Sequence, residues 1–222
     1  MSRPRGQLAL DLPHLPALGR EDFLVAPCNE AAVAWIDRWP GWPGPALALA
    51  GPGGCGKTHL AHVWRVRSGA AMIAGRAVTG ETDILLAGAS HAVVDDAAVA
   101  DPESLLHLYN HLAAHGGSLL LTAREAPARW GLRLADLDSR LRAAPVAAIG
   151  APDDALMEAV MVKLFADRQI AVGREVIAYM LARMERSFDA ARRTVAALDR
   201  MALAERRTVT VPLARRVLEG DG

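Results

Sequence analysis

Cysteine is scarce in this chain: Cys28 and Cys55 are the only two. They are too few for a disulfide scaffold, so a reducing cytoplasm is the expected setting. No apolar run approaches the roughly 18 residues of a membrane span. Prolines and charges break up the first twenty residues, where a signal peptide would need an apolar stretch. An excess of one charge is missing as well, since 25 Lys+Arg face 25 Asp+Glu. That excludes a chain gripping nucleic acid by bulk electrostatics and leaves only a local basic patch open. Lysine is nearly absent: Lys57 and Lys163 stand alone among those 25 basic residues. What remains is ordinary globular composition, 52% apolar and 23% charged over 222 residues, enough for one large domain or two small ones.

Residues 1–20 read as a flexible tail, broken by Pro4, Gly6, Pro13, Pro16 and Gly19. A short helical stretch over about 29–38 precedes a breaker cluster from Pro40 to Pro45. The apolar run Ala46–Ala50 then leads into a glycine-rich turn, and residues 57–67 have helical spacing. Further strands are expected at 71–73, 91–94, 118–122 and 146–149, with a helix over 103–115 opened by Pro102 and closed by Gly116-Gly117. Strands alternating with helices predict βαβ units and a parallel sheet. From Pro152 onward the period becomes helical, over 153–168, 174–186, 188–205 and 212–218, with one short strand at 209–211. The expected organisation is a tail (1–20), an α/β nucleotide-binding domain (21–150) and a small all-helical domain (151–222).

The sharpest signal is Gly51-Pro52-Gly53-Gly54-Cys55-Gly56-Lys57-Thr58, a complete phosphate-loop pattern between a strand and a helix. Glycines let successive backbone N–H groups turn inward around an anion, where a Cβ would obstruct them. Lys57 can reach β- and γ-phosphates, the Thr58 hydroxyl can ligate Mg²⁺, and the helix aims its positive end at the anion. Such a site needs a carboxylate at a neighbouring strand end. Asp95 is expected to hold Mg²⁺ and Asp96 to orient water; the lesser alternative is a pair of acids capping the next segment. Thr122, at the end of another strand, could face the γ-phosphate or that water.

Several stretches resemble the AAA+ ATPases, and within them the DnaA-like family with its shortened Hda type. Phe23-Leu24-Val25-Ala26-Pro27-Cys28-Asn29 is similar to the segment beside the adenine, and His59-Leu60 follows the loop as in that family. Leu119–Arg124 resembles the sensor-one strand, and Asp136–Leu141 the arginine-finger box, which puts the finger on Arg140. Ala191-Arg192-Arg193 falls where the sensor-two arginine is expected, with Arg192 in the better register. Gln7-Leu8-Ala9-Leu10-Asp11-Leu12-Pro13 resembles a sliding-clamp-binding peptide, using Gln7, Leu8, Leu10 and Leu12, without the terminal aromatic of the commoner motif. A DNA-binding domain of the kind DnaA carries after its lid is not expected here.

The resemblance implies an AAA+ fold with a helical lid, and ADP or ATP with Mg²⁺. Val25, Ala26, Asn29, Pro52, Gly53, Gly54, Cys55, Gly56, Lys57, Thr58, His59 and Arg192 would contact that nucleotide. It further implies a negative regulator of replication initiation that binds the polymerase III sliding clamp and, through Arg140, stimulates hydrolysis of DnaA-bound ATP. DNA would be met only through the clamp, no membrane is involved, and self-assembly is left open. Without the family argument a surface salt bridge from Arg140 to Asp136 or Asp138 is the lesser alternative. The intact Lys57, Asp95, Asp96 and Thr122 leave intrinsic ATPase activity open. The competing class is accordingly a helicase-loader or clamp-loader-like ATPase driven by its own turnover. His107, His111 and His115 align on one helix, but no carboxylate or cysteine stands at ligand spacing, so a solvated face is the expectation.

Overall fold

A computed structural model describes residues 23–220. The expected clamp-binding residues 7–12, and the rest of the expected tail, lie outside them. Five strands form one all-parallel sheet: β1 (Ala46–Ala50), β2 (Ala71–Ala74), β3 (His91–Asp95), β4 (Ser118–Ala123) and β5 (Val146–Ala148), in the order β2-β3-β4-β1-β5. β1 aligns Ala46 with Leu119 and Ala50 with Ala123, while β3 aligns Val94 with Leu121. In this register the carboxyl ends of β1, β3 and β4 emerge side by side, bringing the phosphate loop, Asp95 and Thr122 to one edge of the sheet.

The alternation of β1 explains how an alanine-rich run serves as a central strand. Leu47 and Leu49 pack on one face with Leu60 and Trp64, beneath α1 (Glu30–Arg38) and α2 (Lys57–Ser68). Ala46 and Ala48 turn to the other face, where Leu105, Leu108 and Leu112 of α4 (Pro102–Ala114) press close. There α5 (Ala135–Ala143) is anchored by Leu137 and Leu141, buried one helical turn apart. Small residues thus admit a leucine-rich helix on one side, and large ones fill the other. Trp64 is fully buried, stacked on Trp42 at 5.3 Å and edge-on to Trp39 at 5.8 Å.

The lid is a separate helical core of α6 (Asp154–Ala166), α7 (Arg174–Leu181), α8 (Phe188–Glu205) and α9 (Val211–Glu219). Met157, Met161, Phe165, Met180, Val195 and Leu198 form its centre. Asp153 caps α6 through the Leu156 N–H (2.8 Å), and Ser187 caps α8 through the Ala190 N–H (3.1 Å).

Three local expectations change. The β-branched stretch 209–211 is not a strand: Thr210 is the extended residue before α9, and Val211 and Pro212 are its first turn. The helix expected over 174–186 ends at Leu181, where the Arg183 and Met184 N–H groups both turn back onto the Met180 carbonyl. A five-residue helix, α3 (Thr82–Leu86), lies in a stretch for which no element was expected.

Candidate nucleotide site

The loop between β1 and α2 is shaped by its glycines. Gly54 and Gly56 sit at φ +67° and +98°, backbone regions that side chains resist. A Cβ at Gly51 would run into the Ile149 carbonyl oxygen, and one at Gly54 would stand 2.8 Å from Ser187 Cβ. Lys57 folds back along the loop, its Nζ donating to the Gly51 and Pro52 carbonyls at 2.7 Å each and lying 3.8 Å from Cys55 Sγ. Cys55 itself is buried and fills the space under the loop. Lys57 is therefore held by neutral acceptors that an anion could displace, in a cradle that a Cβ would fill. These residues fit a bound phosphate chain.

Beside the loop, three oxygen-bearing side chains converge. Thr58 Oγ1 donates to Asp95 Oδ1 and Oδ2 at 3.1 and 3.2 Å. Thr122 Oγ1, almost wholly buried, donates to Asp95 Oδ1 at 2.5 Å and accepts the Asp96 N–H at 3.0 Å. That second bond fixes Asp96 in the left-handed region, φ +57°, a conformation aspartate tolerates better than most side chains. Its carbonyl oxygen then occupies the place a Cβ would take at Gly75, so Gly75 has no room for a side chain. Gly53, Lys57, Thr58, Asp95, Asp96, Thr122 and Arg124 border a cleft of about 140 Å³. A hydroxyl and two carboxylates are hard oxygen donors suited to Mg²⁺ that completes its shell with water and phosphate oxygens. Among the described residues no group of three or more His, Cys, Asp or Glu could hold a metal alone.

A second cavity, about 250 Å³, opens between the loop helix and the lid. Phe23, Leu24, Asn29, Gly56 and His59 form one wall; Phe23 meets the His59 ring edge-on at 5.2 Å. The lid supplies Leu156, Val160, Lys163, Leu164 and Asp167 from α6 and its end. Arg168, Phe188 and Arg192 complete the enclosure. An apolar slot with charged groups at its rim suits a flat base and a ribose. Phe188 also joins lid to loop through the backbone, donating its N–H to the Gly54 carbonyl at 2.9 Å.

The residues named from the sequence fall into distinct groups. The loop, Thr58, Asp95, Asp96 and Thr122 come together in the cleft. His59, Asn29 and Arg192 border the larger cavity, whereas Val25 and Ala26 do not line it: Val25 is half exposed, and the places beside the cavity belong to Phe23 and Leu24. Asn29 is buried and binds its own segment, accepting the Ala26 N–H and donating to the Leu24 carbonyl, both at 2.9 Å. Arg192 pairs with Asp189 at 3.3 Å. Arg140 lines neither cavity. Its Nε donates to Asp136 Oδ1 at 2.9 Å, and its guanidinium lies 5.6 Å over the Tyr109 ring. The sequence reading missed the α6 wall, although Leu156, Val160, Lys163, Leu164 and Asp167 recur at helical spacing.

The family described as Hda, lid domain, matches residues 154–218. Domain III of the replication initiation protein DnaA from Thermotoga maritima superposes with a TM-score of 0.81 at 19% identity, covering 94% of this chain and 98% of that one. AMPPCP-bound DnaA from Aquifex aeolicus gives 0.70 at 15% identity over 93% of this chain and 70% of that one. A RuvB variant from Thermotoga maritima gives 0.70 at 13% identity, covering 86% and 68%. At these identities the structural likeness establishes the fold. No curated protein matches the sequence.

Proposed function

We propose that this chain, an Hda-like member of the DnaA-type AAA+ proteins, is a negative regulator of replication initiation that acts on nucleotide held by DnaA. In this reading Gln7, Leu8, Leu10 and Leu12 seat the protein on the sliding clamp. Arg140 then reaches the ATP bound by DnaA and stabilises the charge that develops on its phosphates during hydrolysis. The observation that carries the reading is the Hda-type lid at 154–218 on a phosphate-loop domain. Arg140 adds support: its side chain is 40% exposed and borders neither cavity of its own chain, so it is available to a neighbour.

In the chain's own site, Lys57 and the backbone of residues 53–56 would hold the phosphates of ADP or ATP, and Thr58 and Asp95 would hold Mg²⁺. Phe23, Leu24, His59, Leu156 and Val160 would enclose the base. A bound nucleotide supplies the negative charge that the loop and Arg192 are built to meet. Because it touches both lid and sheet domain, its binding stabilises their closed arrangement by mass action. The protein works in the cytoplasm, touches DNA through the clamp and can assemble with itself or with DnaA through the Arg140 face. Among the described residues no helix is long and apolar enough to cross a membrane.

A second reading, a helicase-loader or clamp-loader-like ATPase, is favoured by one observation: the Thr58–Asp95–Thr122 hydrogen-bonded group is complete. The deciding experiment follows ATP pre-bound to DnaA in the presence of DNA-loaded clamp. The regulator reading expects acceleration by the wild type and none by Arg140→Ala that still binds clamp. Brisk turnover of the chain's own ATP with no effect on DnaA-bound ATP would replace it with the loader reading.

A further inference from the structure

We propose that Asp189 is a counter-charge set against the phosphate loop, which engages Arg192 and biases the site against nucleoside triphosphates relative to diphosphates. This rests on the nucleotide-binding reading above and adds to it a residue that opposes binding.

Asp189 follows Ser187 and Phe188 at the start of α8, and that helix end lies on the loop: the Phe188 N–H donates to the Gly54 carbonyl at 2.9 Å. The carboxylate points the same way, since a Cβ at Gly54 would stand 3.3 Å from Asp189 Oδ2. Its other oxygen, Oδ1, holds Arg192 Nη1 at 3.3 Å. Neighbouring lid acids are committed elsewhere, Glu185 to Arg193 at 4.0 Å and Asp154 to Arg186 at 3.1 Å. One negative charge thus stands against the loop tip while pairing with Arg192, one of the cations that border the base cavity.

Lys57 and Arg192 are restrained in different ways. Lys57 rests on carbonyls, which carry no net charge, so its release leaves nothing repulsive behind. Arg192 rests on a carboxylate. When an anion draws Arg192 away, Asp189 is left unpaired beside the loop that holds the phosphates. Its repulsion grows with the charge of the ligand, and a triphosphate carries about one negative charge more than a diphosphate. An acid in the first turn of α8 also favours that helix through its dipole, and the exposed i,i+3 pair adds little stability. Those roles would act alike on both nucleotides. The charge role acts on their ratio.

The test is titration calorimetry of ADP and of a non-hydrolysable ATP analogue, with Mg²⁺, on the wild type, Asp189→Asn and Asp189→Glu. Lys57→Ala confirms that binding is at the loop, and thermal unfolding is recorded without nucleotide. Asp189→Asn is expected to raise triphosphate affinity relative to diphosphate by about fivefold, an effect that shrinks with added salt. Asp189→Glu is expected to keep the wild-type ratio. Equal changes in both affinities, or an unchanged ratio in Asp189→Asn, would overturn the inference and leave Asp189 as a helix-end acid while nucleotide binding stands. Binding of neither nucleotide by any of these proteins would remove the nucleotide reading itself, and the inference with it. Binding of the triphosphate by Asp189→Asn alone would support the inference in its strongest form.

Discussion

Thr122 Oγ1 donates to Asp95 Oδ1 at 2.5 Å, adding a side-chain bond just beyond Val94 and Leu121, the last aligned pair of β3 and β4. Through the Asp96 N–H the same hydroxyl also holds the left-handed turn that follows β3. Thr122→Val keeps the shape and removes both bonds, leaving a polar N–H beside a methyl group. It should cost about 1–3 kcal/mol of stability, read as a lower urea midpoint with unchanged slope. Thr122→Ser, which keeps the hydroxyl, should recover most of the loss.

Gly54→Ala meets two obstacles, a backbone at φ +67° and the Ser187 side chain. Replacing glycine in the left-handed region costs roughly 1 kcal/mol, and pushing Ser187 away disturbs the α8 end seated on the loop. Nucleotide affinity should fall at least about tenfold, measurable by calorimetry. The far-UV circular dichroism should remain that of the wild type.

The Arg140 side chain and Asp136 are both substantially exposed, 40% and 51%, so their ion pair contributes at most about 0.5 kcal/mol. With the contact over Tyr109 also lost, Arg140→Ala should still melt within a few degrees of the wild type. Loss of stimulated hydrolysis in that variant then reports on the guanidinium rather than on folding. Asp136→Asn, which frees the guanidinium from its pair, should retain stimulation.

His91 Nδ1 accepts the Ser118 N–H at 3.0 Å, so the ring is neutral with its proton on Nε2. Burial against Trp39 and Trp64 lowers its pKa below the ordinary value of 6.5. The unfolded chain then binds more protons than the folded one in the window just under pH 6.5. The contribution is complete above that pH and is lost as pH falls toward the folded-state value. Denaturation midpoints of the wild type should decline as pH drops from 7 toward 5. In His91→Asn, whose amide oxygen can take the same N–H, that decline should be shallower.

Much of this architecture was legible because central parallel strands announce themselves. Apolar runs ending at Gly51, Asp95 and Thr122 gave the sheet and its edge, and a glycine-lysine loop between strand and helix has few other uses. The α6 wall was harder, since that helix is apolar nearly all round and periodicity cannot say which face opens on a cavity. Val25 and Ala26 were drawn to the base by family likeness. The segment instead folds on Asn29, turning Phe23 and Leu24 inward. Tyr109 beneath Arg140 is thirty-one positions away in sequence, and only the packing of α4 on α5 brings the two together. At 209–211 the β-branched residues outweighed a readable helix start, an extended threonine with proline two positions on.

The near-absence of lysine acquires a spatial meaning once the cavities are placed. Lys57 borders the cleft under the loop, and Lys163 borders the slot between loop helix and lid. Every other basic side chain of the Lys+Arg count is an arginine, whose guanidinium keeps its charge and resists acylation. Acetylating, carbamylating or aldehyde-bearing reagents directed at side-chain amines therefore have two targets, both at the cavities. The chain carries its own pair of chemical reporters, and protection of those two amines by a ligand can be read directly by mass spectrometry.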